Sequence, residues 1–362
     1  MTLALRLAAK GRETTSPNPM VGAVVVKDGR IVGQGFHRYP GQPHAEILAL
    51  RQAGTGAKGA TLYVTLEPCC HLKKRTPPCV PTVIRSGIRR VVVAMYDPNP
   101  SVTRIGVAAL RRAGLAVTVG VGRREAENVN RTYSHWMKTK RPYVILKSGM
   151  TLDGKIATAS GESRWISSIQ SRREVHQLRG QVDAVIVGVG TVLSDNPSLT
   201  ARTGAQLDKL APRQPLRIVV DSRLRIPPEA QILSRQNEAR TIVATTRSAP
   251  AARRSALQKK GLEVIPLPAV QGRVSLPALL KELGRRGIMS LLVEGGGELN
   301  AAMLKAKLVH HVRLYITPAL LGGGDAKGVI GGKSPARLTQ AVKLRHVQIR
   351  SAGGDVVVEG TV

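Results

Sequence analysis

Residues 61–79 read TLYVTLEPCCHLKKRTPPC, and residues 44–50 read HAEILAL. TLYVTL carries the apolar, aromatic and β-branched side chains of a buried strand, and it delivers Pro68 and Cys69 at its end. Gly41-Gln42-Pro43 breaks the chain ahead of His44, and Ile47, Leu48 and Leu50 predict a helix to about Ala53. A further helix is predicted from Cys79 through VPTVIRSG. One strand end and two helix starts can therefore bring Cys69, His44 and Cys79 to a single point.

Outward from this segment the alternation continues. VGAVVV (21–26) and IVGQGF (31–36) flank Lys27-Asp28-Gly29-Arg30, a predicted hairpin turn. Leu3, Leu5, Leu7 and Ala8 predict a first helix. The chain starts inside that helix, so a few residues are expected to precede it in the whole protein. VVVAM (91–95), a helix near 104–113 and LAVTVG (115–120) complete a first unit. Residues 121–142 are basic and polar with little strand pattern, and the domain boundary is placed there, giving domains 1–140 and 141–362. The second begins with YVILKSG (143–149) and continues with strands at 184–190, 217–222, 241–246, 262–267, 290–296 and 312–317. Helices are predicted near 169–180, 250–260, 275–286 and 298–306. The alternation predicts a mainly parallel sheet with flanking helices.

Apolar residues make up 42% of the 362, but aromatic ones only 2%, so the cores must be built from Val, Ile, Leu and Ala. No run approaches a membrane span, and the start lacks the parts of a signal peptide. The three cysteines are an odd number confined to eleven residues, which favours thiolate ligands in a reduced, cytoplasmic protein over a disulfide framework. A formal net charge of +32 raises nucleic acid as a partner. The charges are scattered pairs such as Arg89-Arg90, Arg123-Arg124 and Arg285-Arg286, without a basic tail and with few aromatic rings on which bases could stack. No specific nucleic acid is expected; small phosphorylated ligands suit such a field equally well.

A His, two Cys and a nearby Glu are the parts of a zinc deaminase. His44, Cys69 and Cys79 would hold Zn²⁺ with a fourth position open to water, whose pKa the ion lowers. Glu46 stands two residues from His44, within reach of moving a proton from that water to a leaving amine. The start of a helix also favours thiolate at Cys79. Nucleic-acid deaminases of this kind keep two residues between their cysteines; here there are nine.

SPNPMVGAVVVKDGRIVGQG (16–35), HAEILAL, TLYVTLEPCCHLKKRTPPC and DPNP (97–100) together resemble the deaminase half of the bifunctional riboflavin-biosynthesis deaminase–reductase family. The long loop between the cysteines is a feature of that family, which usually has eight residues there. Either this chain has one extra residue around Lys73-Lys74, or Cys70 is the ligand; the Pro68-Cys69 pairing favours Cys69. The resemblance implies that Asn18 contacts the substrate pyrimidine and that Arg75 lies near its phosphate. His71 would assist there or stabilise the loop, and Asp97 and Asn99 would shape a turn.

LKSGMTLDGKIATASGESRWIS (146–167), VGVGTVLSDNPSLTAR (187–202), VVDS (219–222) and LVEGGGELN (292–300) resemble the reductase half of the same family. The implied fold is α/β throughout, a cytidine-deaminase-like α/β/α domain followed by a dihydrofolate-reductase-like α/β domain. NADPH would meet Gly149, Trp165, Thr191, Asp195, Ser222 and the loop Gly296, Gly297, Glu298, Leu299, Asn300, Ala301 and Ala302. The substrate would meet Ser163, Arg179, Leu199, Arg202 and Glu294. Lys147 would either aid reduction of the sugar carbon through its charge or face solvent at a strand end. The implied activity is zinc-hydroxide deamination of 2,5-diamino-6-ribosylamino-4(3H)-pyrimidinone 5′-phosphate, then reduction of the ribosyl side chain to ribityl by NADPH, in a homo-oligomer. No residue of the sequence by itself selects NADPH over NADH.

Overall fold

The computed structural model describes residues 1–70, 76–234 and 236–362. They divide into two compact units, Met1–Lys140 and Arg141–Val362.

In the first unit α1 (Thr2–Ala9) leads into the hairpin β1 (Gly22–Lys27) and β2 (Arg30–Phe36). Asp28 and Gly29 both have positive φ, as the two-residue turn requires. After α2 (Ala45–Ala53) come β3 (Thr61–Val64), α3 (Cys79–Arg85), β4 (Arg90–Val93), α4 (Ile105–Arg112) and β5 (Ala116–Val119). The sheet order is β2-β1-β3-β4-β5; β1 runs antiparallel to β2 and β3, whereas β3, β4 and β5 are parallel. Ala23 and Val25 of β1 enter the core shared with Ala45 and Ala49 of α2. Val24 joins Ala4 and Leu7 of α1 in a separate cluster. Strand alternation thus gives each face its own helix, the α/β/α layering.

Two glycines of β2 decide how close α2 lies. A Cβ on Gly33 would stand 2.1 Å from Ala49 O, and one on Gly35 would stand 2.6 Å from Leu48 Cβ. Neither contact is tolerable, so Gly33-Gln34-Gly35 lets the ligand-bearing helix rest directly on the strand.

The segment from 121 to 142, basic and polar with little strand pattern, is helical. It forms α5 (Arg123–Val129) and α6 (Arg131–Thr139), both within the first unit. Few of their side chains are buried, so the apolar period is faint, but Ala126 and Tyr133 are enclosed. Asn130 between them is also buried; its amide nitrogen donates to Met20 O at 2.9 Å and its oxygen accepts from Met20 N at 2.8 Å.

The second unit is a nine-stranded sheet. Its order is Glu263–Leu267, Thr241–Thr246, Leu216–Val220, Ala184–Gly188, Ser290–Val293, Tyr143–Thr151, His311–Thr317, Asp355–Thr361 and Arg345–Ala352. The first seven are parallel. The last two form an antiparallel hairpin on the edge, which the strand reading of the sequence did not mark. Ala184 and Ile186 face one apolar cluster and Val185 and Val187 the other, so the sheet is covered on both sides, as parallel sheets are.

Candidate functional site

His44 is the residue immediately before α2 and Cys79 is the first residue of α3. Cys69 follows β3, and its carbonyl accepts from Cys79 N at 3.0 Å and Val80 N at 3.2 Å, tying the start of α3 to the strand end. His44 Nδ1, Cys69 Sγ and Cys79 Sγ lie within 4.8 Å of one another. Nδ1 is 3.4 Å from Cys69 Sγ and 3.3 Å from Cys79 Sγ. Cys70 is half-buried against the apolar core and does not belong to this cluster. One imidazole nitrogen and two sulfurs suit zinc, with room for a fourth ligand.

Glu46 sits in the first turn of α2, 3% exposed, and its Oε2 has no hydrogen-bond partner among the described residues. Burial pushes its carboxyl above the usual range, against the pull of His44. A buried acceptor left open beside a thiolate–imidazole cluster can take and return a proton.

His44, Glu46 and Cys69 line a cavity of about 460 Å³ with Asn18, His37, Glu67, Thr76, Asp97, Asn99, Tyr133 and Met137. Asn18 Nδ2 is 2.9 Å from His37 Nε2. No local motif marks His37 and Tyr133, and Thr76, although it opens the Thr-Pro-Pro-Cys run, has no role assigned from the sequence. Asp97 does build a turn, accepting from Asn99 N at 2.8 Å, but it also receives the Tyr133 hydroxyl at 3.1 Å. Its burial lifts its pKa to about 6. His71 and Arg75 lie outside the described residues.

Glu67 joins this floor to α4. Its carboxylate accepts from Asp97 N at 3.2 Å, Arg104 N at 2.9 Å and Val107 N at 3.0 Å. At Gly106 a Cβ would stand 2.1 Å from Pro68 O. Gly106→Ala must therefore push α4 or the Glu67–Cys69 turn aside. We expect a loss of about 1–3 kcal/mol in stability and reduced zinc content, read by thermal melting and metal analysis.

In the second unit a cleft of about 880 Å³ is lined by Ser163, Thr191, Asp195, Ser222, Gly296, Gly297, Glu298, Leu299 and Ala302. Arg223, Arg225, Arg273 and Lys327 also line it, four cations that the sequence reading did not select. This size and charge suit a phosphorylated dinucleotide. Trp165 is 71% exposed, with the Arg172 guanidinium 4.3 Å from its ring centre. Gly149, Trp165, Asn300 and Ala301 do not line the cleft. Asn300 is fully buried and donates to Val329 O at 2.9 Å, a structural contact.

Lys147 does not face solvent. Its Nζ is 3.6 Å from Glu294 Oε2, with 16% of its side chain exposed. Arg179 clasps the same carboxylate with Nε at 2.6 Å and Nη2 at 3.0 Å. Burial pushes Glu294 up, yet Arg179 and Lys147 outweigh it and hold the group at about 2. Burial lowers Lys147. His176 Nδ1 accepts from Arg202 N at 3.1 Å, and burial together with Arg179 brings its pKa down to about 4. Arg202 Nε reaches Thr200 Oγ1 at 3.3 Å, and Leu199 is buried in an apolar cluster.

Comparison with known proteins accounts for both halves. Residues 142–358 match the family model described as RibD C-terminal domain, and residues 1–95 match that for the cytidine and deoxycytidylate deaminase zinc-binding region. The riboflavin biosynthesis protein RibD of Aquifex aeolicus is 45% identical over 358 residues, covering 99% of this chain and 96% of its own. The chain belongs to the RibD family. The Escherichia coli member is 44% identical over 363 residues, covering 98% and 96%. Among solved structures, Acinetobacter baumannii RibD superposes with a TM-score of 0.87 at 35% identity, covering 99% of this chain and 97% of its own. A deaminase/reductase from Thermotoga maritima gives 0.86 at 35% identity, covering 100% and 97%. As a member of the family, the chain is a bifunctional enzyme of riboflavin biosynthesis, a zinc-dependent deaminase and an NADPH-dependent reductase. Among the described residues no helix is long and apolar enough to cross a membrane.

Proposed function

We propose that residues 1–140 deaminate 2,5-diamino-6-ribosylamino-4(3H)-pyrimidinone 5′-phosphate, and that residues 141–362 then reduce the ribosyl side chain to ribityl, giving 5-amino-6-(5-phosphoribitylamino)uracil. The observation that carries this reading is the convergence of His44, Cys69 and Cys79 beside the open, buried carboxylate of Glu46. His44, Cys69 and Cys79 would hold zinc, which would supply a Lewis acid that lowers the pKa of water towards neutrality. Glu46 accepts a proton from the attacking water and passes it to the departing 2-amino group. Asn18, held against His37, orients the pyrimidine, and Arg75 serves its phosphate. Substrate and coenzyme in full excess test the reading: ammonia should appear with or without NADPH, and NADPH oxidation should require the pyrimidine phosphate. Reduction of the deaminated intermediate without any ammonia release from its precursor would remove the first activity only.

In the second half, Thr191, Asp195, Ser222, Gly296, Gly297, Glu298, Leu299 and Ala302, which line the cleft, would hold NADPH. Arg223, Arg225, Arg273 and Lys327 favour the more highly charged coenzyme. Ser163, Leu199, Arg179, Arg202 and Glu294 bind the substrate, and Lys147 stabilises negative charge that develops at the reacting sugar. The edge strand Arg345–Ala352 leaves Ile349 69% exposed, which supports a homo-oligomer; light scattering on the intact chain checks its mass. The scattered charge supports no specific nucleic-acid partner, and equal, salt-sensitive affinity for unrelated DNA sequences would agree. The thiols at the metal cluster suit the reducing cytoplasm, where fractionation should find the chain.

A further inference from the structure

Nδ1 of His44 is the ring nitrogen that faces both sulfurs. A metal bound there takes the Nδ1 lone pair, so a neutral imidazole must carry its proton on Nε2. Nε2 lies 3.0 Å from Thr76 Oγ1. We propose that Thr76 is a positioning residue for the metal: its hydroxyl accepts the Nε2–H of His44, fixing the tautomer and the ring plane that present Nδ1 to zinc. This rests on the reading of His44, Cys69 and Cys79 as the ligands.

The surrounding chain makes the hydroxyl a rigid fixture. Thr76 is followed by Pro77, Pro78 and Cys79, so two consecutive φ angles are locked between the hydroxyl and a metal ligand. Pro77 also restricts Thr76 itself to extended backbone. Pro78 forms the boundary of α3 at φ −65° and ψ 145°. On the other side, the backbone of His44 is fixed by α2 on β2, but its ring still turns about two bonds. The ring of His37 meets it edge-on at 5.1 Å between centres, which limits the tilt without selecting a tautomer. The hydroxyl makes that selection. Because Thr76 is set by its three-residue link to Cys79, its place does not depend on the number of residues between Cys70 and Thr76. With Cys69 as the ligand, that is the stretch in which this chain is one residue longer than the family's usual loop.

Losing an outer-shell partner of a metal ligand typically weakens metal binding about 10–100-fold. Thr76→Val keeps the branched shape and removes the hydroxyl; Thr76→Ser keeps the hydroxyl. Zinc affinity of the full chain, measured by competition with a chelator, should fall about 10–100-fold in T76V and stay near wild type in T76S. In zinc-loaded protein, long-range proton–nitrogen NMR should show a slowly exchanging His44 Nε2–H in wild type and T76S and fast exchange in T76V. Wild-type zinc affinity in T76V, alongside weak binding by His44→Ala, would overturn this proposal alone. Undiminished binding by His44→Ala would overturn the ligand reading and this proposal with it. Should T76V not fold, T76S decides: loss of its Nε2–H signal, or affinity as low as that of His44→Ala, overturns the role of the hydroxyl.

Discussion

Glu46→Gln is expected to abolish ammonia release while the same protein still oxidises NADPH when given the deaminated intermediate. Glutamine has nearly the shape of glutamate, so α2 and the cluster beside it should keep their geometry. What it lacks is an oxygen that can take a proton and give it back. In the native chain that oxygen is prepared: Glu46 is 3% exposed, its Oε2 is unpartnered, and burial holds its carboxyl above the ordinary range. A positioned general acid–base group contributes about 10²–10⁴-fold to rate, and with none of the other described groups in the cavity offering an equivalent open carboxylate, the loss should lie at the upper end. Zinc content should match wild type. Retention of more than about a tenth of the ammonia rate would exclude Glu46 as the proton carrier. A matching fall in NADPH oxidation would show instead that the substitution had damaged the whole chain.

Much of this site could be read in the sequence, for identifiable reasons. The β-branched runs at 21–26, 91–95, 184–188 and 241–246 are long enough, and punctuated sharply enough, to declare themselves as strands. His44, Glu46, Cys69 and Cys79 could be grouped because each stands at an element boundary that its own neighbours announce. The unread parts depend on partners far along the chain. Asn130 is buried because it matches the main chain of Met20, and Tyr133 because it caps Asp97. Nothing within α5 or α6 says so. Lys147, read as a strand-end residue equally able to face solvent, stands in the middle of the strand Tyr143–Thr151, where Glu294 and Arg179, over a hundred and about thirty residues away, enclose it. The terminal hairpin escaped for the opposite reason: its first strand is exposed almost throughout and shows no core period. Thr76 is legible only as the first residue of the Thr-Pro-Pro-Cys run, and its meaning comes from the ring it meets.

Glu294→Gln should cost the reductase both activity and stability, with a pH signature of its own. Glu294 is 6% exposed on its side chain and shares its charge between Arg179 and Lys147. Removing that charge leaves two cations in a largely enclosed site. Breaking a buried pair by deleting one partner costs about 3–5 kcal/mol. Lys147 would feel it most, because burial already lowers its pKa and Glu294 is the group that raises it. It would lose charge more readily and stabilise less negative charge on a bound substrate, so NADPH oxidation should fall even where the unit remains folded. The sign of the pH effect follows from a carboxylate held at about 2 in the folded state against an ordinary value of 4.5. Such a group stabilises the fold fully above 4.5, and the contribution drains away as pH falls through about 2. Melting curves of wild type and variant should therefore lie far apart at pH 7 and converge towards pH 2. A gap that does not narrow on acidification would mean that Glu294 supports the unit through packing, and that the charge of Lys147 is set by something other than this carboxylate.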